Sequence, residues 1–209
     1  MDSATARATC PQARKIILAR HGESEYSARG RLNGDIMVAV GLTARGREEA
    51  RGLGAQLRDE PLDLCVTSEF QRARETADLA LRGRDVPREI DARLNDPLIG
   101  RYEGGSLEDY RAWASASPSS AAPEEGGESR LAIVTRYAAA FRDLLERPEG
   151  TILAVCHSLP VSYALGAREG KLPGARMPLA EHATPYPFTG DELGTAVRLL
   201  EMWAASPTW

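Results

Sequence analysis

The sequence is short of the residues that mark several large classes of protein. It has three cysteines, Cys10, Cys65 and Cys156, which lie too far apart in the chain to form a zinc-binding pair. An odd number also suits reduced thiols better than a disulfide framework, so we expect a reducing compartment and a cytoplasmic protein. No apolar run approaches the ~20 residues of a membrane span, and the first residues contain no apolar signal-peptide core. We therefore expect no membrane association.

The charged residues give no sign of a nucleic-acid partner. Lysine and arginine total 26 and aspartate and glutamate total 30, and the positive side chains are scattered along the chain. Since nucleic-acid binders concentrate positive charge on one face, we expect no nucleic-acid partner. The length of 209 residues with 43% apolar content predicts one domain over residues 13–203, between a leader at 1–12 and a tail at 204–209.

Short apolar runs alternate with helical patterns along the chain. The predicted strands are Lys15–Ala19, Asp63–Thr67, Thr151–Cys156 and a last one from Thr195 to about Met202. The first predicted helix runs from Thr43, its N-cap, to about Arg58, and the second begins at a capping box formed by Ser68–Gln71. A third runs from about Glu128 to Arg147. A fourth follows His157. This alternation predicts an α/β domain with a mainly parallel central sheet covered on both faces.

Polar side chains follow three of the predicted strands. Arg20 and His21 follow the first, Ser68 and Arg72 follow the second, and His157 with Ser158 follows the third. Ligands of open parallel sheets bind beyond the carboxyl ends of the strands, so we expect these three segments to converge at one edge.

Two arginines and two histidines at one edge are suited to phosphate chemistry. Guanidinium groups present forked donors that match phosphate oxygens and stay charged at any working pH. A neutral imidazole can attack phosphorus once its other nitrogen is held by a hydrogen bond, and by spacing alone either His21 or His157 could do so. The pattern predicts a site for a phosphate dianion that needs neither metal nor cofactor.

Four runs in this order resemble the histidine phosphatase superfamily, which includes the cofactor-dependent phosphoglycerate mutases. The family shows Arg-His-Gly-Glu/Thr after its first strand, then Gly-Arg-x-Gln/Asn-Gly, Ser-x-x-x-Arg-Ala-x-x-Thr-Ala and a late Val-x-His-Gly. The matching segments are Arg20–Glu23, Gly30–Gly34, Ser68–Ala77 and Val155–Ser158. The resemblance implies a phosphoglycerate mutase-like, three-layer α/β/α fold.

The resemblance also implies a role for each matching residue. His21 would be the residue that is phosphorylated, and His157 would be the second histidine that stabilises the transferring phosphoryl group. The phosphate-binding residues implied in this way are Arg20, Arg72, Asn33 and Ser158, the last of which stands where the family usually has glycine.

The general acid is the point at which this sequence departs from the family. Asp96 stands where the family has a glutamate in Leu-x-Glu-x-x-x-Gly-x-Trp-Glu-Gly. Since aspartate is one methylene shorter, its loop must bring the carboxyl within hydrogen-bond reach of the leaving oxygen. Asp96 is the first candidate for the acid, and Glu103 is the reserve.

These residues predict a phosphomonoester hydrolase that acts through a phosphohistidine on a small phosphorylated metabolite. Two alternatives stay open: a mutase-type phosphotransferase and a non-catalytic phosphate-binding module. Mutases of the family carry a longer insertion than the segment from Gly104 to Glu128, and a short segment favours entry of water and hydrolysis. A small-molecule substrate is the expected partner, and a homodimer stays open.

Three further side chains near these motifs have simpler interpretations. His182 lies among proline and glycine, which predicts a surface loop and a structural or solvent role. Tyr110 and Trp113 are three residues apart on a predicted short helix over the site. These side chains would either pack against the domain or form the wall of a lid that shapes specificity.

Overall fold

One five-stranded sheet organises the chain. The structure, a computed structural model, describes residues 14–209, so the predicted leader at 1–12 lies outside the described residues. The strands are β1 (Lys15–Arg20), β2 (Leu64–Thr67), β3 (Arg88–Ile90), β4 (Thr151–Cys156) and β5 (Pro185–Thr189). Their order is β3-β2-β4-β1-β5, and all pairs are parallel except β1 with β5. The predicted α/β fold with a mainly parallel sheet is confirmed.

Residues 14–209 form six α-helices. They are α1 (Ala44–Gln56), α2 (Gln71–Ala80), α3 (Leu107–Ala116), α4 (Arg130–Glu146), α5 (Ser158–Arg168) and α6 (Gly190–Ala205). Of these, α1, α2, α4, α5 and α6 contribute to the hydrophobic clusters against the sheet. Alternate residues of β1 separate the two hydrophobic clusters: Ile16 and Leu18 pack with α4, α5 and α6, whereas Ile17 and Ala19 pack with α1 and α2. The strands are therefore buried on both sides, as their continuous apolar runs indicate.

The last predicted strand is wrong, because residues 195–202 belong to helix α6. The buried side chains of this helix recur at helical spacing, and they are Leu193, Ala196, Val197, Leu200 and Trp203. Thr189 and Glu192 form a capping box at its start. The true last strand, β5, lies at the sheet edge, where its two prolines are tolerated. Helix α6 also extends to Ala205, into the segment predicted as a tail.

The predicted capping box at Ser68–Gln71 is also wrong. Helix α2 begins at Gln71 with Phe70 as its N-cap residue and no side-chain cap. The Ser68 hydroxyl instead lies 2.9 Å from Nε2 of His157. By contrast, Thr43 caps α1 as predicted, accepting a hydrogen bond from the Gly46 amide. Across residues 14–209, no helix combines the length and apolar character needed to cross a membrane.

Candidate active site

A cavity of about 220 Å³ opens at the carboxyl end of β1, beside the start of α5. Of the residues predicted for the site, those that line it are Arg20, His21, Asn33, Asp96 and Ser158. Arg72 and His157 are buried; Arg72 contacts His21, and His157 contacts Asp96. The structure thus brings the three strand-end segments together at one edge of the sheet.

His21 presents one unprotonated ring nitrogen. Its Nδ1 lies 2.7 Å from the Gly22 carbonyl oxygen, which can only accept, so Nδ1 carries the proton. Burial, together with the charges of Arg72, His157 and Arg20, lowers the pKa of His21 well below its usual value. The ring is therefore neutral, and Nε2 has a lone pair that accepts a hydrogen bond from Arg72 Nε at 3.1 Å.

The turn that carries His21 is fixed by close backbone contacts. The Gly22 amide donates to the Thr76 hydroxyl of α2 at 3.0 Å, and a Cβ atom on Gly22 would lie 2.4 Å from the Gly46 carbonyl oxygen. Nδ1 of His182 lies 2.9 Å from the His21 carbonyl oxygen and donates to it. His182 therefore holds the backbone of His21, which is a structural contact of the kind expected for it.

Arg72 is the centre of the polar network. Its guanidinium donates to Asn33 Oδ1 at 2.5 Å, to the Asn33 carbonyl oxygen at 3.0 Å and to Asp96 Oδ2 at 3.0 Å. Burial lowers the pKa of Arg72, while the charge of Asp96 acts against this shift. The ion pair with Asp96 thus holds a cation in place beside His21.

Arg20 supplies a second cation at the same place. Its Nη1 donates to the Ala180 carbonyl oxygen at 2.9 Å, whereas its buried Nε has no hydrogen-bond partner among residues 14–209. Burial lowers the pKa of Arg20 to about 10, so the group still carries its charge at neutral pH. A donor that lacks a partner and lies in a cavity can bind an anion.

His157 is held from both sides of its ring. The Ser68 hydroxyl lies 2.9 Å from Nε2, and Asp96 Oδ2 lies 3.3 Å from Nδ1. Nη2 of Arg72 also lies 3.3 Å from Nδ1, so this nitrogen faces both a carboxylate, which accepts a proton, and a guanidinium, which donates one. Burial lowers the pKa of His157 to about 4, although the adjacent Asp96 acts in the opposite direction.

The two candidate acids have different surroundings. Asp96 lines the cavity with its side chain 30% exposed. Burial would raise the pKa of its carboxyl, but His157, Arg72 and Arg20 outweigh burial and hold that pKa below its usual range. Glu103 accepts from Asn33 Nδ2 at 2.9 Å and from the Gly34 amide at 2.7 Å, so its carboxylate holds the loop instead of lining the cavity. The geometry favours Asp96.

The remaining predicted residues connect the site to its surroundings. Ser158 is the first residue of α5, and its hydroxyl accepts from the Ala180 amide at 2.9 Å. Tyr110 lines the cavity from α3, and the Trp113 ring packs against it. Sequence reasoning missed Ser68 as the partner of His157 and Thr76 as the anchor of Gly22. Of these two residues, Ser68 alone could have been expected at the site from the sequence, because it is a polar residue directly after a buried strand.

The fold and the site together define an α/β protein with a neutral histidine beside two arginines, an arrangement suited to binding a phosphoryl group. Residues 16–184 match the histidine phosphatase superfamily (branch 1). The chain belongs to this family, which confirms the resemblance found in the sequence.

Two kinds of relative accompany this match. A 107-residue segment is 37% identical to the adenosylcobalamin/α-ribazole phosphatase of Salmonella typhimurium, covering 47% of this chain and 52% of that protein. The chain thus spans about half the length of the curated relatives it matches. The α-ribazole phosphatase of Shigella flexneri has a similar structure, with a TM-score of 0.70, 28% identity and coverage of 83% and 89% of the two chains. YhfR of Bacillus stearothermophilus also has a similar structure, with a TM-score of 0.72 and 27% identity. The match covers 84% of this chain and 90% of YhfR.

Proposed function

We propose that this protein hydrolyses phosphomonoesters of small metabolites through a phosphohistidine at His21. One observation carries the proposal: the ring proton of His21 is fixed on Nδ1 by the Gly22 carbonyl, which leaves Nε2 as a nucleophile between two arginines. The names of the relatives support a small phosphorylated metabolite as the substrate class.

In the first step, Nε2 of His21 attacks phosphorus and the bond between phosphorus and the ester oxygen breaks. Arg20 and Arg72 hold the phosphoryl oxygens, which draws the Arg72 guanidinium away from the Nε2 lone pair. Donors placed in advance around developing charge are each worth about 3–4 kcal/mol of the activation barrier. Asp96 gives its proton to the departing oxygen.

In the second step, water attacks phosphorus and the bond between phosphorus and Nε2 breaks. The Asp96 carboxylate left by the first step accepts the proton of the attacking water. Inorganic phosphate leaves, and His21 is again neutral.

Asp96 must be protonated before it can act as the acid. Without a second anion, Arg72 and His157 hold it ionised. A phosphate dianion bound to the same arginines adds negative charge beside this carboxyl and offsets their field, which raises its pKa. Substrate binding therefore prepares the acid, and the arginines supply the positive charge that a metal would otherwise provide.

The test is a chemical trap of the covalent intermediate. Wild-type protein is mixed with p-nitrophenyl phosphate, quenched with base within milliseconds and analysed by peptide mass spectrometry. We expect one phosphoryl group on the peptide that contains His21 and none on the peptide that contains His157. His21→Asn should abolish both label and turnover while circular dichroism shows an intact fold.

Three results would contradict the proposal. Label on His157 in the His21→Asn variant would make His157 the nucleophile. Formation of 2-phosphoglycerate from 3-phosphoglycerate faster than phosphate release would identify a mutase. Binding of inorganic phosphate without turnover of any ester in a broad panel would indicate a non-catalytic module.

A further inference from the structure

The cavity contains a second basic region that the catalytic contacts do not use. Arg130, the first residue of α4, lines the cavity and is only 7% exposed. Its Nη1 lies 3.3 Å from the Tyr163 hydroxyl, and its guanidinium lies 5.8 Å from the centre of the Tyr110 ring. No carboxylate within the described range, residues 14–209, forms an ion pair with it.

A buried guanidinium without a counterion is unusual. Removing a charge from water costs several kcal/mol unless a partner of opposite charge compensates. One long hydrogen bond to a phenol and a ring face offer much less than a carboxylate does. This arrangement is explained if a bound molecule supplies the anion.

A second arginine strengthens the positive charge of this region. Arg111 of α3 also lines the cavity, is half-buried and donates to the Met177 carbonyl oxygen at 2.6 Å. It too forms no ion pair within the part of the chain that the structure describes. Among residues 14–209, Asp96 is the one acidic residue of the cavity lining, and it contacts Arg72 and His157.

The basic region is separate from the catalytic centre. Neither Arg130 nor Arg111 hydrogen-bonds to His21, Arg72, Asp96 or His157. The cavity lining also includes apolar side chains, and they are Ile99, Leu107, Leu159, Met177 and Leu179. In such surroundings the attraction between a guanidinium and an anion is stronger than in water. One molecule could thus place its phosphate at His21 and a second anionic group at Arg130.

We propose that Arg130, with Arg111 beside it, binds a second anionic group of the substrate, either a carboxylate or a second phosphate. The substrate class is then phosphomonoesters that carry another negative group at a distance from the ester. This assignment rests on the proposed function, because it takes the phosphate site at His21 as one end of the substrate.

Binding of phosphonates tests the assignment without depending on turnover. Isothermal titration compares straight-chain alkylphosphonates with ω-carboxyalkylphosphonates and α,ω-bisphosphonates over a series of chain lengths. We expect wild-type protein to bind at least one of the doubly anionic compounds 10-fold more tightly than its plain counterpart. The better of the two end groups identifies the second anion as carboxylate or phosphate.

Three variants assign any such preference to Arg130. Arg130→Gln should remove the preference and leave the affinity for plain alkylphosphonates within twofold. Arg130→Lys keeps the charge and should retain part of the preference. Tyr163→Phe removes only the hydroxyl partner of Arg130 and should retain all of it, which separates anion binding from a structural role. If Arg130→Gln does not fold, the wild-type affinities still test whether the second-anion site exists. The preference of Arg130→Lys then tests the role of Arg130.

Equal wild-type affinity for plain and doubly anionic phosphonates at every chain length would overturn the second-anion site. A preference that survives Arg130→Gln would overturn the role of Arg130. The proposed function fails by a different result, the absence of p-nitrophenyl phosphate hydrolysis by the wild-type protein. The two failures are therefore distinguishable.

Discussion

The two histidines of the site differ in their access to the cavity. Nδ1 of His21 donates to a backbone carbonyl, so its Nε2 lone pair points into the polar network. The His157 ring is fully buried beside Ser68, Asp96 and Arg72, and among the described residues it is His21, not His157, that lines the cavity. Residue spacing alone leaves either histidine as the nucleophile, whereas access to the cavity favours His21.

The acid can be identified from its dependence on the leaving group. Asp96→Asn cannot donate a proton as an acid, so we expect kcat/KM for an alkyl phosphate to fall by roughly 10²–10⁴. The leaving group of p-nitrophenyl phosphate departs without a proton, so general acid catalysis contributes little to its hydrolysis. For this ester we expect kcat/KM to fall by less than about 10-fold. Steady-state kinetics with both esters measures the difference.

Glu103→Gln is the matched control for this prediction. Glu103 accepts hydrogen bonds from the Asn33 side chain and the Gly34 amide. Loss of its carboxylate should therefore loosen this loop and slow the hydrolysis of both esters by the same factor. If kcat/KM for the alkyl phosphate fell selectively in Glu103→Gln and not in Asp96→Asn, Glu103 would be the acid.

The sequence predicts site residues whose position follows from the sheet alone. Arg20 is the last residue of β1 and His157 directly follows β4, and parallel strands place their carboxyl ends at one edge. Arg130 could not be found in this way, because its surroundings include Tyr163 of α5 and Tyr110 of α3, which lie far from it in the sequence. The contact of Ser68 with His157 likewise joins residues 89 positions apart.

At the scale of elements, helix α1 sets the position of the turn that follows His21 through a close backbone contact. A Cβ atom on Gly46 would lie 2.0 Å from the Glu23 carbonyl oxygen, two residues after His21. Glycine at position 46 therefore allows α1 to approach the turn. The same helix contains Gly52, where a Cβ atom would meet nothing within 4 Å.

This pair of glycines gives a matched prediction. Gly46→Ala should lower the free energy of unfolding by about 1–3 kcal/mol through overpacking. It should also reduce kcat/KM by as much as ~10²-fold, because the turn of His21 must move. Gly52→Ala should raise the free energy of unfolding by about 0.5–1 kcal/mol and leave kcat/KM unchanged. Urea denaturation and kinetics check both, and equal activity of the two variants would contradict the role of the contact.

The helices and strands differ in how well the sequence predicts them. The buried strands β1, β2 and β4 are continuous apolar runs, and the structure places them within one or two residues of their predicted bounds. Val197, Leu199 and Leu200 form a short apolar run, which does not separate a strand from a buried helix, so the predicted strand at 195–202 is in fact helix α6. The sequence does not predict the edge strand β5, because prolines at 185 and 187 argue against a strand.

For the whole molecule, the site joins the two layers of helices. Arg72 belongs to α2 on one face of the sheet, and Ser158 begins α5 on the other. A phosphate held by both, together with Arg20 of β1, connects elements that separate when the protein unfolds. Binding of inorganic phosphate should therefore stabilise the entire fold.

The expected stabilisation follows from linkage between binding and unfolding. At a phosphate concentration 100 times Kd, the free energy of unfolding should rise by about 2.7 kcal/mol. Urea denaturation followed by tryptophan fluorescence, at constant ionic strength, measures this increment. Arg20→Gln should lose most of it, because Arg20 provides an unpartnered donor in the site, whereas Arg198→Gln, an exposed change on α6, should keep it. The same increment in both variants would show that phosphate acts as a general salt and not at this site.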